Sequence, residues 1–193
     1  MTAGSPLPAD QVRRGKRTLL MIAAAVIAPV ALSYGVYYLS PRGTFTNYGE
    51  LLPTRPAPAI SGTRADGSAF RIEQAQGRWM IVVASAGTCA AACAQQLYAT
   101  RQARTMQGRE RERIERLWLV PDGVAPDPKV LAEHPDVIVV RTTPSAVAAL
   151  PKGEDAIYLI DPIGNQVLAW PRDPDIKALA RDLTRVLRAS RIG

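Results

Sequence analysis

Short apolar runs alternate with segments of helical character along the second half of the chain. Each apolar run has the length of a buried strand and is bounded by glycine, proline or polar residues. The predicted strands are 79–84, 116–120, 137–141, 156–160 and 166–170. The last two flank the tight-turn sequence DPIGN and are therefore predicted to form a hairpin.

Four helices are predicted around these strands. The first is rich in Ala and Gln and stops at Gly108, and the last repeats apolar side chains every three or four positions. The predicted helices are 89–108, 128–134, 143–150 and 173–191. This order gives a βαβ unit followed by a ββα unit, with right-handed crossovers in the parallel part. The sequence therefore predicts an α/β fold, a thioredoxin-like sheet with flanking helices.

The N-terminal region has a different pattern, an uncharged apolar stretch of 21 residues from Leu19 to Leu39. About 20 helical residues span the ~30 Å hydrocarbon core of a bilayer. Four basic residues precede the stretch, and only Arg42 follows it within ten residues. This asymmetry predicts one transmembrane helix in a bacterial inner membrane, with a cytoplasmic N-terminus and a periplasmic C-terminal domain. The alternative is a cleaved signal peptide, but the stretch is longer than the apolar region of such peptides.

These patterns divide the chain of 193 residues into four predicted regions. An apolar content of 47% and a charged content of 21% are typical of a folded domain. The residues after the apolar stretch are rich in Pro, which indicates an extended linker. The regions are a cytoplasmic tail (1–18), a transmembrane anchor (19–39), a Pro-rich linker (40–60) and a thioredoxin-like domain (61–193).

The only two cysteines, Cys89 and Cys93, follow the first predicted strand of the domain. In a parallel sheet this loop lies at the carboxyl edge, so Cys89 is expected at a helix N-terminus, where backbone N–H groups stabilise a thiolate. Cys93 then lies one turn along the same face, with the two Cα atoms ~6 Å apart. We predict a catalytic redox pair that could also present two soft ligands to Cu(I). The alternative is that both cysteines are small buried residues.

With these residues in place, the chain resembles the Sco/SenC proteins, thioredoxin-fold, membrane-anchored assembly factors of cytochrome c oxidase. The resemblance rests on the CxxxC sequence of Cys89 and Cys93 and on YLIDPIGNQVLAW, which is similar to the family's Tyr-Leu-x-Asp-Pro-x-Gly hairpin. It implies a role in oxidase biogenesis, with the two cysteines handling Cu(I) or partner thiols. The implied partners are the inner membrane and a cytochrome oxidase subunit or another assembly factor.

The chain departs from the family pattern at two places. Ala94 follows the second cysteine, where the family has Pro. The family's copper-ligating His has no counterpart before the Tyr-Leu strand, where this chain has Gly153, Glu154 and Asp155. The single histidine, His134, is expected at the opposite sheet edge, ~16 Å or more away. It is interpreted as a helix C-terminal residue whose partial charge suits the helix dipole. Neither Met80 nor Met106 is placed to reach Cys89, so any copper site is expected to be two-coordinate, or completed by water, a partner or an added thiol.

The segment 101–116 carries six Arg against three Glu within a chain of net charge +7. It is interpreted either as a solvated helix end and loop or as a docking surface for an acidic partner or anionic headgroups. Nucleic acid is not expected as a partner, because the domain is predicted to face outward.

Three functions are compatible with these observations. The first is a Sco-like accessory protein for oxidase biogenesis. The second is a general anchored thiol–disulfide oxidoreductase, although thioredoxin-type enzymes use CxxC spacing. The third is a non-catalytic scaffold with vestigial cysteines. The sequence leaves enzymatic activity open.

Overall fold

The protein is described by a computed structural model, which covers residues 9–39, 47–75 and 77–190. The chain divides into two units, Met1–Thr46 and Asn47–Gly193. In the first unit, helix α1 (Ala9–Leu39) contains a stretch, Arg14–Val36, that is long and apolar enough to cross a membrane, and an 18-residue window within it has a mean hydropathy of 2.2. The second half of the predicted tail is therefore helical, and residues 1–8 lie outside the described residues.

The second unit is built on one mixed, eight-stranded sheet with the order β1-β8-β7-β4-β5-β6-β2-β3. Strands β4, β5 and β6 are parallel, whereas β7 is antiparallel to both β4 and β8. The strands are β1 (Glu50–Pro56), β2 (Ser61–Arg64), β3 (Ala69–Arg71), β4 (Trp79–Ala84), β5 (Ile114–Val120), β6 (Val137–Arg141), β7 (Ala156–Ile160) and β8 (Asn165–Pro171). The five strands predicted from the apolar runs form the centre of this sheet.

Four helices connect and cover the strands, namely α2 (Ala91–Thr105), α3 (Pro128–Glu133), α4 (Pro144–Ala148) and α5 (Ile176–Ala189). Three of them start at a residue whose side-chain oxygen accepts a backbone hydrogen bond from the first turn: Asp127, Thr143 and Asp175. Such caps satisfy donors that have no partner inside the helix. Two 3-10 segments, Ile72–Ala75 and Gly108–Arg113, complete the domain.

The sheet separates two apolar cores. One face packs against α2 and α5 around Trp118 and Trp170, and the other packs around Phe70 and Tyr158. Successive side chains of a strand point to opposite faces, so a strand covered on both sides is buried along its whole length. All six residues of β4 are buried for this reason. The predicted α/β class, a thioredoxin-like sheet with flanking helices, is confirmed.

The predicted linker over 40–60 is corrected in its second half. Residues 50–56 form β1, which pairs antiparallel with β8, and the compact unit begins at Asn47. Proline is tolerated in β1 because this is an edge strand, and its register with β8 shifts between Leu51 and Arg55. The domain therefore starts earlier than residue 61. Residues 40–46 of the predicted linker lie outside the described residues.

The predicted hairpin turn is organised by one carboxylate. Oδ1 of Asp161 accepts hydrogen bonds from the backbone N–H groups of Ile163, Gly164 and Asn165, at 3.0, 2.8 and 2.7 Å. Gly164 has a φ of 104°, a conformation that favours glycine. The turn therefore fixes the register of β7 on β8, and the DPIGN sequence serves the fold.

Candidate functional site: the Cys89–Cys93 disulfide

The loop that follows β4 lies at the carboxyl edge of the parallel strands and is fixed to β5. The backbone N–H of Ser85 donates to the carbonyl of Leu119 at 3.0 Å, which extends the strand pairing by one residue. The indole Nε1 of Trp118 donates to the carbonyl of Ser85 at 3.1 Å. These two bonds hold the loop before it reaches the cysteines.

The next residues of the loop are held by the segment after β5. The backbone N–H of Gly87 donates to both carboxylate oxygens of Asp122, each at 3.2 Å. Asp122 also accepts from the backbone N–H of Val124 at 3.1 Å. A Cβ at position 87 would lie 2.1 Å from the carbonyl oxygen of Val124, so only glycine fits here without movement of the backbone. We call Gly87, Asp122 and Val124 the loop clamp.

Cys89 lies just before α2 in the left-handed region, with a φ of 46°. Its backbone N–H donates to the carbonyl of Ala86 at 3.1 Å, and Ala90 is the N-cap of the helix. A non-glycine residue in this region costs about 1–2 kcal/mol. The clamped loop imposes this conformation, which turns the chain sharply into α2.

Cys93 is the third residue of α2, and its sulfur is bonded to that of Cys89. The two Cα atoms are 5.0 Å apart. The expected helix start at residue 89 is corrected, because α2 begins at Ala91 and Cys89 precedes the N-cap. The left-handed turn at Cys89 thus brings the cysteines closer than the ~6 Å of two residues four apart within a helix.

The two cysteines differ in exposure. Cys93 is 1% exposed and belongs to the core beneath α2 and α5, whereas Cys89 is half-buried at the edge of that core. The N-cap Ala90 makes no side-chain hydrogen bond, so no side chain at that position competes for the N–H groups at the start of α2. A reagent in solution therefore reaches the sulfur of Cys89 first.

A groove of about 370 Å³ adjoins the loop clamp at the same edge of the sheet. It includes Asp122 of the clamp and residues that follow β6 and precede β7. Its lining residues are Pro121, Asp122, Pro144, Val147, Ala148, Gly153 and Glu154. The groove includes two of the three residues that stand where the Sco pattern has a His.

In the described part of the chain, the cysteines do not belong to a larger cluster of metal-ligating side chains. Within the residues that the structure describes, no group of three or more His, Cys, Asp or Glu side chains could hold a metal ion. Met80 is buried in the core on the other face of the sheet, and Met106 caps the far end of α2. The expectation that neither methionine lies at the cysteines agrees with these positions.

His134 is the C-cap of α3 and precedes β6, so it lies at the amino edge of the parallel strands, as expected. The expectation that a partial positive charge on His134 suits the helix dipole is corrected. The side chain is 4% exposed, and its Nδ1 has no hydrogen-bond partner. Burial lowers the pKa of His134, and the nearby guanidinium groups of Arg116 and Arg101 lower it further. The imidazole is therefore neutral at pH 7 and does not interact with the helix dipole as a cation.

The arginines of 101–116 are mostly used inside the domain. Arg116 is 1% exposed, and its guanidinium pairs with Asp136 at 2.8 Å and donates to the carbonyl of Leu97 at 2.6 Å. Burial lowers the pKa of Arg116 to about 10, and the partner Asp136 opposes this shift. The other bonded arginines of the segment are Arg101, Arg104 and Arg113, which donate to backbone carbonyls of α3, β5 and α5. The interpretation of this segment as a docking surface is thereby weakened.

Sequence reasoning missed the loop clamp. Asp122 belongs to the PDG sequence, which predicts only the end of a strand. Nothing local in the sequence marks it as a partner of Gly87, because 35 residues separate the two. The signal that could have found it is topological, since consecutive parallel strands bring their following loops to the same edge.

Comparison with known proteins places this geometry in a family. Residues 79–190, more than half of the chain, match the family described as "Transmembrane-like, thioredoxin-like, C-terminal domain". The chain belongs to this family. Among curated proteins, no sequence matches this thioredoxin-like protein.

Solved structures share the fold at low sequence identity. Yeast Sco1 with copper bound has a TM-score of 0.62 and 18% identity, over 72% of this chain and 96% of that chain. The apo Sco1 protein from Thermus thermophilus has a TM-score of 0.57 and 19% identity, over 76% and 98%. The thioredoxin domain of a thiol-disulfide oxidoreductase from Bacteroides vulgatus has a TM-score of 0.51 and 16% identity, over 70% and 99%. These similarities show a shared fold.

Proposed function

We propose that this chain is a membrane-anchored, periplasmic, Sco-like accessory protein of cytochrome c oxidase biogenesis. It acts through Cys89 and Cys93 on the thiols of a partner or on copper. The observation that carries the proposal is the bond between the half-buried Cys89 and the buried Cys93, at the carboxyl edge of a fold shared with Sco proteins. The candidate span Arg14–Val36 supports the anchor, and the basic residues that precede its uncharged part, which starts at Leu19, favour a cytoplasmic N-terminus.

The difference in exposure assigns the roles in thiol exchange. In the reduced protein, the thiolate of Cys89 attacks a partner disulfide, forms a mixed disulfide and releases one partner thiolate. The sulfur of Cys93 then attacks Cys89, which restores the Cys89–Cys93 disulfide and releases the second partner thiolate. Two electrons pass from this chain to the partner, whose copper-site cysteines leave reduced. A dithiol donor must reduce Cys89 and Cys93 again before the next cycle.

Copper would be cargo of this protein. After reduction, the two sulfurs are soft ligands one helical turn apart, and Cu(I) accepts two such ligands. His134 lies at the other edge of the sheet. The length of β6, about 16 Å, separates the two edges. A site made by this chain alone therefore has two thiolates. It is expected to bind Cu(I) more weakly than a three-ligand site and Cu(II) hardly at all.

The second candidate function is a general anchored thiol–disulfide oxidoreductase. The disulfide itself favours it, as does the fold shared with the Bacteroides vulgatus oxidoreductase. The two functions differ in their substrate, because the accessory protein acts on one partner whereas the general enzyme accepts unrelated disulfides. A scaffold would need neither a redox couple nor a copper-bound form.

The test uses the full chain in detergent. The reduced protein is titrated in a Cu(I) competition assay and, separately, in a thiol–disulfide redox buffer. The variants are Cys89→Ser and Cys93→Ser, with His134→Gln as the matched control at the other edge. We expect a measurable redox couple and Cu(I) binding that both cysteine variants lose and the control retains. Loss of copper binding in His134→Gln would overturn the two-thiolate site.

A cellular assay separates the two functions. Cells that lack the chain are complemented with the wild type or with Cys89→Ser, and cytochrome c oxidase activity is measured. We expect rescue only by the wild type. Normal oxidase activity without the chain, together with a redox couple that reduces unrelated disulfides, would favour the general oxidoreductase. The absence of both a couple and copper binding would favour the scaffold.

A further inference from the structure

The outward face of α5 carries a stripe of positive charge. Its inward face is formed by buried residues, among them Leu179, Leu183 and Leu187. Five positions of the helix are exposed, and all of them except Ala189 are basic; we call these four residues the α5 stripe: Lys177, Arg181, Arg185 and Arg188. The single carboxylate of α5, Asp182, is 2% exposed and points into the domain.

The fold does not use most of these cations. In the part of the chain that the structure describes, no ion pair or side-chain hydrogen bond is recorded for Lys177, Arg181 or Arg188. Arg185 differs, because it pairs with Asp182 at 3.6 Å and contacts the side chain of Asn47 at 3.4 Å. The arginines of 101–116 that donate to backbone carbonyls are likewise engaged within the domain. The α5 stripe is thus a basic surface in which three of the four cations form no ion pair within the described residues.

The carboxylates that flank the stripe are already engaged. Asp175 caps α5 by accepting from the backbone N–H of Ala178 at 2.9 Å. Asp173 accepts from the side chain of Gln95, and Glu110 pairs with Arg113 at 2.7 Å. The hydrogen bond from Ala178 and the charges of Arg181 and Lys177 lower the pKa of Asp175, so this carboxylate stays negative beside the stripe, and the four basic residues outnumber the carboxylates of the helix and its N-cap.

The chain enters the domain on this same helix. The backbone N–H groups of Tyr48 and Gly49 donate to the carboxylate of Asp182, at 3.2 and 2.8 Å. The hydroxyl of Tyr48 accepts from the backbone N–H of Asp175 at 2.8 Å. The first residues of the domain are therefore bound to α5 at two points of the helix.

Seven residues, 40–46, separate the last residue of α1 from Asn47. A chain of that length spans at most about 25 Å, whatever its conformation. If α1 crosses a membrane, a connection of this length allows α5 to reach the lipid surface, because the domain starts on α5. The attraction of basic side chains to anionic lipid falls off within a Debye length of about 8–10 Å, which is less than this span, so the connection permits the contact and the charge of the stripe must supply the binding.

We propose that the α5 stripe binds the anionic phospholipid headgroups of the membrane in which α1 is anchored. The inference rests on the anchoring part of the proposed function. Binding orients the domain, with α5 toward the lipid. Each basic residue contributes a factor of about five to the equilibrium constant for binding anionic lipid. Neutralising three of them therefore lowers the ratio of lipid-bound to released domain by roughly 100-fold.

The experiment uses the full chain reconstituted in vesicles. The tryptophans, Trp79, Trp118 and Trp170, all lie in the domain, so energy transfer from them to a dansyl lipid reports its distance from the membrane. We expect at least about twofold more transfer in phosphatidylcholine vesicles that contain phosphatidylglycerol than in pure phosphatidylcholine vesicles. The difference should disappear in 0.5 M NaCl, since salt at about 1 M shortens the Debye length to about 3 Å.

Two triple variants with the same change of charge test the residues. The first, Lys177→Gln, Arg181→Gln and Arg188→Gln, should lose the lipid-dependent transfer. The control, Arg55→Gln, Arg71→Gln and Lys129→Gln, replaces exposed basic residues on β1, β3 and α3 and should keep it. Equal loss in both variants would overturn the assignment to α5, and so would wild-type transfer that is independent of lipid charge. The latter would favour an acidic protein as the partner.

Flotation of the wild type with the vesicles in high salt measures the anchor separately. Protein that floats but shows no lipid-dependent transfer overturns this inference and leaves the anchor intact. Protein that fails to float overturns the anchor and the inference together.

Discussion

The two edges of the parallel strands hold chemically active side chains in opposite ways. At the carboxyl edge, Cys89 is half-buried, and its loop is held by backbone bonds and by the clamp on Asp122. At the amino edge, Arg116 and His134 are almost completely buried, and Arg116 pairs with Asp136. The first edge exposes a sulfur to solvent, whereas the second removes ionisable groups from solvent.

The difference shows how one sheet separates reactivity from stability. Loops at the carboxyl edge lead into helices whose N–H groups face the loop, and such edges commonly hold binding sites in α/β proteins. At the amino edge of this sheet, the guanidinium of Arg116 donates to the backbone of α2 and pairs with Asp136 ahead of β6. We therefore expect substitutions at the carboxyl edge to change thiol chemistry and substitutions at the amino edge to change the free energy of unfolding.

The largest expected effect concerns the two thiols in single-cysteine variants. In Cys93→Ser, the remaining Cys89 should be alkylated rapidly, because it is half-buried at the surface. In Cys89→Ser, the remaining Cys93 is 1% exposed and should react roughly 1,000-fold more slowly, since it needs local opening of the core. Mass mapping of alkylation at neutral pH measures both rates. Equal rates would contradict the assignment of Cys89 as the attacking residue.

Arg116→Met tests the amino edge. The substitution removes the buried guanidinium and leaves Asp136 and the carbonyl of Leu97 without this donor. We expect a loss of about 3 kcal/mol in the free energy of unfolding, measured with urea. Arg111→Met in the same segment is the control, because Arg111 is exposed, and it should change stability by less than about 0.5 kcal/mol. A change in the alkylation rate of Cys89 in Arg116→Met would contradict the claim that the amino edge affects stability without affecting thiol chemistry.

Gly87→Ala tests the loop clamp. The added Cβ meets the carbonyl of Val124, so the loop or the segment after β5 must move. We expect a loss of about 2 kcal/mol in stability and a changed redox potential of the disulfide, because the backbone before Cys89 shifts. The neighbouring exposed Thr88→Ala is the control and should leave both quantities unchanged. An unchanged potential in Gly87→Ala would show that the clamp does not position Cys89.

The smallest effect is the pH dependence caused by His134. Burial lowers the pKa of His134 in the folded state, so the unfolded chain binds more protons in the window below pH 6.5. The contribution of neutral His134 to stability is complete above pH 6.5 and is lost as the pH falls through the lowered pKa. Urea unfolding at pH 5 and pH 7.5 should therefore show a drop that is smaller in His134→Gln. An identical drop in this variant would assign the effect to carboxylates.

The central strands, the helices and the cysteine pair could be predicted because each has a local signal. Apolar runs mark β4 to β8, and the position of the CxxxC sequence after a strand marks the site. The strands β1, β2 and β3 carry no such signal, since β1 contains two prolines and β2 and β3 have three or four residues each. The clamp on Asp122 and the burial of Arg116 depend on contacts between distant segments, and only the assembled sheet shows them.

Asp182 has a mechanical consequence under the proposed membrane anchoring of the domain. Its carboxylate accepts from the backbone of Tyr48 and Gly49 and from the indole of Trp170, so it joins the first residues of the domain to α5 and β8. A force transmitted along the chain from the N-terminal side is therefore taken up by α5 and by the pairing of β1 with β8. One strand, β7, separates β8 from β4, and the loop that follows β4 leads to Cys89. Because α5 also packs with α2 on the core that holds Cys93, motion at the N-terminal end of the domain acts on a helix that borders the reactive pair.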